Sequence, residues 1–169
     1  SSTTRPLRDY VKENIFNIIA HRKNTKLILD KKNVLDLYSG VGSFGIECLS
    51  RNVSNVVFVE RDPLAFSILK KNISHLKVDN KTKLFSEDIK DVIEKLDEKN
   101  KFDLIFLDPP FKDDKFIEII NLIKKKKLFS KNHRVIIHRE KKSKENFDKI
   151  LKIEVLKNYG RSKIIFGSF

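Results

Sequence analysis

Val34-Leu35-Asp36-Leu37-Tyr38-Ser39-Gly40-Val41-Gly42-Ser43-Phe44-Gly45 decides the fold. A short apolar run over 34–38 reads as a buried strand. It meets Gly40-x-Gly42-x-x-Gly45, whose glycines allow a sharp turn and close approach of a ligand to the backbone. An amphipathic stretch over 43–51 then reads as a helix. Twenty residues after Gly40, the second strand (55–60, NVVFVE) ends in Glu60. A carboxylate there can accept hydrogen bonds from both hydroxyls of a ribose, so strand, turn and acid together point to a nucleoside cofactor.

Asp36 narrows the choice of nucleoside. It stands four residues before Gly40, at the end of the first strand. A fixed anion there disfavours the pyrophosphate of a dinucleotide, which needs the positive end of the following helix. It suits a cofactor with a cationic amino group, and the D-x-x-x-G-x-G pattern resembles the first motif of class I S-adenosylmethionine-dependent methyltransferases. Asp36 can also be read as an ordinary strand-end acid.

Outward from this unit, strands and helices alternate. Leu7, Val11, Ile15 and Ile18 share one helical face, with Thr4 a candidate cap and Pro6 in the first turn. Pro63 opens a helix over 63–76; 82–85 is a strand and 89–96 a helix. A strong buried strand, 102–107, is followed by a helix over 115–126 and a strand over 135–138. The tail, near 150–156 and 163–166, alternates like a hairpin. The predicted architecture is α/β and Rossmann-like: a mostly parallel seven-stranded sheet with helices on both faces and an antiparallel edge. Ligands of such sheets bind beyond the carboxyl ends of the strands.

The most specific feature lies at one of those ends: Asp108-Pro109-Pro110-Phe111. Two prolines cannot continue a ladder, so the chain leaves the sheet in a rigid turn that presents the Asp108 carboxylate and the Pro109 carbonyl. Two acceptors gripping the N–H bonds of an exocyclic amino group favour a pyramidal nitrogen with its lone pair aimed at a methyl donor. Phe111 offers a face for a base to stack on. The segment matches the [N/D/S]-P-P-[Y/F/W] motif of amino-nitrogen methyltransferases. Methylation at C5 of a pyrimidine would need a nucleophilic cysteine, and the sole cysteine, Cys48, reads as core.

Composition bounds the rest. The 169 residues include one cysteine, which excludes an internal disulfide or a multi-cysteine zinc site. No apolar run reaches about 18 residues, so no membrane span is expected. No leader pattern opens the sequence, and the expectation is a cytoplasmic protein. His21, His75, His133 and His138 show no metal-ligand spacing, so no metal is expected. His138 ends a strand that could face the crevice, but reads first as a satisfied strand-end histidine. The net charge is +13 and is uneven: residues 1–35 carry +5, 36–120 carry −3 and 121–169 carry +11. Lys outnumbers Arg by 28 to 8, a mix that codon bias could produce, but a uniform bias would not leave the middle acidic. Basic flanks around an acidic centre suggest a nucleic-acid partner. Arg5, Arg8, Lys141, Lys142 and Lys144 are the candidate phosphate contacts; Lys124 to Lys127 read as a solvated helix end.

Taken together, the sequence resembles the bacterial RsmD family over nearly its whole length. Arg5-Pro6 followed by residues 8–17 (RDYVKENIFN) is similar to that family's R-P-T-x-x-x-V-R-E-x-[LI]-F-N stretch. Residues 36–45 are similar to its D-x-[FY]-[AS]-G-[ST]-G-x-x-G, and Asp108 to Phe111 and Tyr159-Gly160 also fit. The resemblance implies a single domain over 1–169 that methylates the N2 of a guanine in 16S ribosomal RNA or the small ribosomal subunit, as a monomer. It implies S-adenosylmethionine along Asp36, Tyr38, Ser39, Gly40, Gly42, Glu60 and Asp88, with Asp88 at the adenine amino group. It places the target guanine at Asp108, Pro109 and Phe111. Asp88 also suits a helix N-cap.

Four departures stand out. Leu7 and Arg8 replace the usual residues after Arg-Pro, and Val41 replaces a hydroxyl residue. The fifth strand reads Ile137-His138-Arg139-Glu140 where the family has an acid after valine. The family's basic hairpin ahead of Arg-Pro is absent from this sequence. Adenine-N6 methylation of DNA or RNA and a non-catalytic RNA-binding module are the competing readings. A dinucleotide oxidoreductase is disfavoured by Asp36.

Overall fold

A computed structural model of the chain describes residues 9–21 and 27–169. Arg5, Arg8, Thr4, Pro6 and Leu7 lie outside the described residues. The elements run α1 (Asp9–His21), β1 (Asn33–Leu37), α2 (Ser43–Ser50), β2 (Asn55–Val59), α3 (Pro63–Leu76), β3 (Thr82–Phe85), α4 (Ile89–Lys95), β4 (Phe102–Leu107), α5 (Phe116–Lys126), β5 (Phe129–Glu140), β6 (Lys152–Tyr159) and β7 (Ser162–Ser168). The strands form one sheet in the order β3-β2-β1-β4-β5-β7-β6. The first five are parallel; β7 runs antiparallel between β5 and β6. The antiparallel edge is therefore a hairpin whose second strand inserts against β5.

Strand alternation sorts the sheet into two cores. Val34, Phe58, Leu104, Phe106, Ile136 and Ile164 pack with Val11, Ile15 and Phe16 of α1, Phe44 and Cys48 of α2, and Leu69 and Ile73 of α3. Leu35, Leu37, Val59, Ile105, Leu107 and Ile137 pack with α4 and α5. Central strands buried on both faces need the continuous apolar runs that this sequence has. Helix starts follow their caps: Asp62 accepts from the Ala65 amide ahead of Pro63, so α3 begins where the sequence predicts.

The strand order reverses between β1 and β4, which opens a crevice beyond their carboxyl ends. Register puts the motifs on one row. Leu37 pairs with Leu107, Leu107 with Ile137, and Glu140 with Ser162. Counting by twos, Asp36, Asp108, His138 and Ser162 fall on the same face of the sheet as the first core.

β5 is longer than the four residues predicted. Its polar start, Ser130 to Arg134, joins the sheet across an irregularity in which Phe102 pairs with Phe129 and Leu104 with Arg134. His133, the buried residue of this stretch, anchors it. Its ring packs against Phe129 and Phe169. Its Nδ1 lies 2.7 Å from the Ser130 carbonyl and its Nε2 2.9 Å from the Phe169 amide nitrogen. Nδ1 must then donate and Nε2 accept, which is the neutral imidazole. Burial lowers its pKa in the same sense.

Candidate active site

The glycine turn is built by the backbone. Tyr38, Gly40 and Gly42 all have positive φ, at 59°, 55° and 93°. The Ser39 amide donates to the Val59 carbonyl at 3.1 Å and the Gly42 amide to the Ser39 carbonyl at 2.9 Å. Glu60, buried at the end of β2, locks the turn: one carboxylate oxygen accepts from the Gly40 amide and the other from the Asp62 amide, each at 2.8 Å. Gly45 is required for contact, since a Cβ there would lie 2.3 Å from the Phe58 ring. Gly40 faces open space. Lys12 of α1 donates to the Ser43 hydroxyl at 3.1 Å, which ties α1 to the start of α2.

Asp36 lies under this turn, 1% exposed. Its Oδ2 accepts from the Gly45 amide at 3.0 Å, and its Oδ1 is buried without a partner among the described residues. Burial pushes its pKa well up, the Gly45 amide opposes this, and the charges of Asp108 and Glu60 add to the rise. Tyr38 is half-buried beside the turn. Its phenol is pushed up by burial, by the charges of Asp113 and Asp88, and by a hydrogen bond to the Asp113 carboxylate. Asp88 caps α4, accepting from the Lys90 amide at 2.9 Å, and pairs with Arg61 at 3.3 Å. It is exposed at the crevice edge, so the cap uses one oxygen and a surface ion pair the other.

The Asp108–Phe111 segment is gripped from both faces of the sheet by adjacent residues of β5. On one face, Asp108 Oδ1 lies 2.7 Å from His138 Nδ1, and His138 Nε2 lies 2.8 Å from Ser162 Oγ. The Phe111 ring meets the His138 ring edge-on, with centroids 5.9 Å apart. On the other face, the Arg139 guanidinium donates to the carbonyls of Pro109 at 3.5 Å, Pro110 at 3.0 Å and Phe111 at 3.0 Å. Arg139 is 2% exposed, pairs with Glu145 and lies 4.5 Å over the Phe116 ring. Pro109, expected from the sequence to present an exposed carbonyl, is instead buried, and one of its two carbonyl lone pairs faces a long contact from Arg139.

The structure brings Asp36, Tyr38, Ser39, Gly40, Gly42 and Glu60 together with Asp108, Pro109 and Phe111. His138, Ser162 and Arg139 were missed as site residues. His138 is the satisfied strand-end histidine that was expected, but its partner is Asp108. Strand parity could have flagged it; the register that sets Asp108 beside it is not written in either segment. Lys141, Lys142 and Lys144 are exposed beyond the end of β5. Lys141 and Lys142 line a cavity of about 380 Å³ with Glu140, Gly160 and Arg161. Gly160, at φ 56°, turns the β6–β7 hairpin against Tyr10, whose hydroxyl donates to the Tyr159 carbonyl at 3.2 Å. Two stretches singled out for family likeness thereby meet. Among the described residues, no group of three or more His, Cys, Asp or Glu is placed to hold a metal ion, and no helix is long and apolar enough to cross a membrane.

Comparison with known proteins agrees with this layout. A solved structure from Streptococcus pyogenes, described as a conserved hypothetical protein, superposes with a TM-score of 0.82 at 31% identity, covering 94% of this chain and 96% of that one. The Ribosomal RNA small subunit methyltransferase D of Haemophilus influenzae is 30% identical over 142 residues, 83% of this chain and 70% of that protein. The protein of the same name from Buchnera aphidicola subsp. Baizongia pistaciae is 33% identical over 137 residues, 80% of this chain and 65% of that protein. The chain spans about two thirds of the length of these relatives, and 64% of a Bacillus subtilis relative that is 35% identical. The family model described as Conserved hypothetical protein 95 matches residues 1–168. By that match and these relatives, the chain belongs to the conserved hypothetical protein 95 family, the RsmD family whose motifs its sequence carries.

Proposed function

We propose that the chain is an S-adenosylmethionine-dependent methyltransferase domain that modifies the exocyclic N2 amino group of a guanine in 16S ribosomal RNA. The observation that carries this reading is the meeting, at one end of the sheet, of a glycine turn over an unpartnered carboxylate oxygen with an Asp-Pro-Pro-Phe segment whose acid points into the same crevice. The relatives named ribosomal RNA small subunit methyltransferase D support the RNA substrate. The basic surface at Lys141, Lys142 and Lys144 supports it too; it fits phosphate contact, with Arg5 and Arg8 as further candidates. The guanine N2 assignment rests on the RsmD resemblance.

The residues present fit the cofactor. Asp36 Oδ1 is an acceptor in need of a donor, and a cationic amino group would stabilise the ionised form that burial disfavours. Gly40 leaves room against the turn, Glu60 retains lone pairs for ribose hydroxyls, and Asp88 lies at the crevice edge for the adenine amino group. When bound, S-adenosylmethionine supplies an electrophilic methyl group on a sulfonium sulfur. Asp108 Oδ2 and the Pro109 carbonyl accept the two N–H bonds of the target amino group, which localises its lone pair toward that methyl. Phe111 stacks on the base. As nitrogen takes the methyl, the carbon–sulfur electron pair would stay with sulfur, which leaves as a neutral thioether; nitrogen becomes cationic, and Asp108 Oδ2 accepts one of its protons. No step calls for a metal ion, and the domain acts as a monomer in the cytoplasm.

The test is mass mapping of 16S RNA, naked and in assembled small subunits, after incubation with the chain and labelled S-adenosylmethionine. Label on a guanine N2 is the expected result. Label on adenine, on DNA alone, or on no nucleic acid overturns the reading.

A further inference from the structure

The Asp108 carboxylate has two oxygens with different surroundings. Oδ1 meets His138 Nδ1 at 2.7 Å, while Oδ2 accepts no hydrogen bond from any described residue. His138 is 7% exposed and Ser162 8% exposed, so this row is shielded from water behind the crevice. An ionised carboxylate only accepts, so Nδ1 must carry the proton and donate it. When the ring is neutral Nε2 is an acceptor, and the Ser162 hydroxyl at 2.8 Å donates to it. His138 and Ser162 come from β5 and β7 and Asp108 directly follows β4, on the same face and at the same end of three adjacent strands.

We infer that His138 is a positioning residue for methyl transfer, oriented in turn by Ser162. This rests on the methyltransferase reading above. A carboxylate at a strand end can rotate about its side-chain bonds. Binding Oδ1 from behind removes that freedom and leaves Oδ2 as the oxygen presented to the amino group. The benefit is geometric: a reacting group held in place before substrate arrives lowers the barrier by preorganisation. Ser162 fixes which ring nitrogen bears the proton, as a second partner does for an imidazole generally. Phe111 against the ring edge limits its tilt. The hairpin that supplies Ser162 thereby belongs to the reaction centre as well as to the sheet.

The decisive comparison uses two amides of different reach. The Asn amide nitrogen falls near the position of Nδ1, and that of Gln near Nε2. His138→Ala should lower kcat roughly 10- to 100-fold, as expected for loss of orientation. KM for RNA and S-adenosylmethionine affinity should be unchanged. His138→Asn should recover most of the loss, His138→Gln should not, and Ser162→Ala should fall between wild type and His138→Ala. Equal losses for Asn and Ala, or no loss for Ala, overturn the inference. A second measurement needs no turnover. Nitrogen-15 shifts of the full chain should show His138 protonated at Nδ1, changing in Asp108→Ala; protonation at Nε2 alone overturns the inference. If the wild-type chain transfers no methyl group, it is the methyltransferase reading that fails, and the tautomer still decides whether the row exists as described.

Discussion

The two walls of the crevice are built by different means. The glycine-turn wall is made of backbone: amides bond Glu60 and Asp36, three residues with positive φ shape the bend, and a buried acceptor is left open. The Asp108 wall is made of side chains: His138 and Arg139 hold it from two faces, and Ser162 and Glu145 stand behind them. The first wall leaves polar capacity unused for a ligand. The second uses its polar capacity to fix one carboxylate and the backbone beside it. A common cofactor can be read by a generic backbone cradle, whereas an amino group must be held to within a fraction of an ångström.

Substitutions can break this contrast, beginning with the largest effect. Asp108→Ala should reduce methyl transfer by roughly 10²–10⁴-fold, the range for a lost acid–base and positioning group. Calorimetry should show cofactor binding intact; a parallel loss of binding would mean that the two walls are not separable. Arg139→Met should cost about 3–5 kcal/mol in denaturant unfolding, because Glu145 is left without its buried partner. Pairing it with Glu145→Leu should restore part of that stability without restoring turnover. A loss below about 1 kcal/mol would place the pair among weak surface contacts.

Gly45→Ala tests the backbone wall. The added methyl would meet the Phe58 ring at 2.3 and 2.6 Å and Asp36 Oδ2 at 2.9 Å, and that ring is fully buried. The expected cost is about 1–3 kcal/mol from overpacking, against a helix-propensity gain of at most about 1 kcal/mol. Unchanged stability would show that the turn has slack. The smallest effect belongs to Asp36→Asn. The folded pKa of Asp36 is raised, so its contribution to stability is complete below about pH 4 and is lost as pH rises through the raised value. The amide keeps an acceptor for Gly45 without the charge. Its melting temperature should exceed wild type by about 2–4 °C near pH 8, with little difference at pH 4. Cofactor affinity should fall. A variant less stable than wild type at pH 8 would contradict the account of Asp36.

The same contrast explains what the sequence disclosed. The glycine-turn wall was legible because its determinants are local: Asp36, three glycines and Glu60 lie within 25 residues. Element limits were sharp where caps or prolines mark them, as at Asp62-Pro63 and at Leu107 before Asp108. The polar start of β5 was not legible, because it is anchored by a three-ring cluster of His133, Phe129 and Phe169 that forms only in the folded chain. Nor were the roles of His138 and Arg139. Each depends on the β4–β5 register, which matches Leu107 to Ile137 through an irregularity that no spacing rule anticipates.

The chain has no tryptophan and only three tyrosines. All three stand at the carboxyl end of the sheet: Tyr38 in the glycine turn, and Tyr10 and Tyr159 at the hairpin turn beside Gly160. With excitation above the phenylalanine absorption band, intrinsic emission therefore originates where ligands are expected to arrive. In an alkaline absorbance titration the phenol of Tyr38, held up by burial and by Asp113, should ionise above the ordinary tyrosine value. The unaltered protein carries its own optical probe of the crevice, and occupancy can be followed without attaching a label.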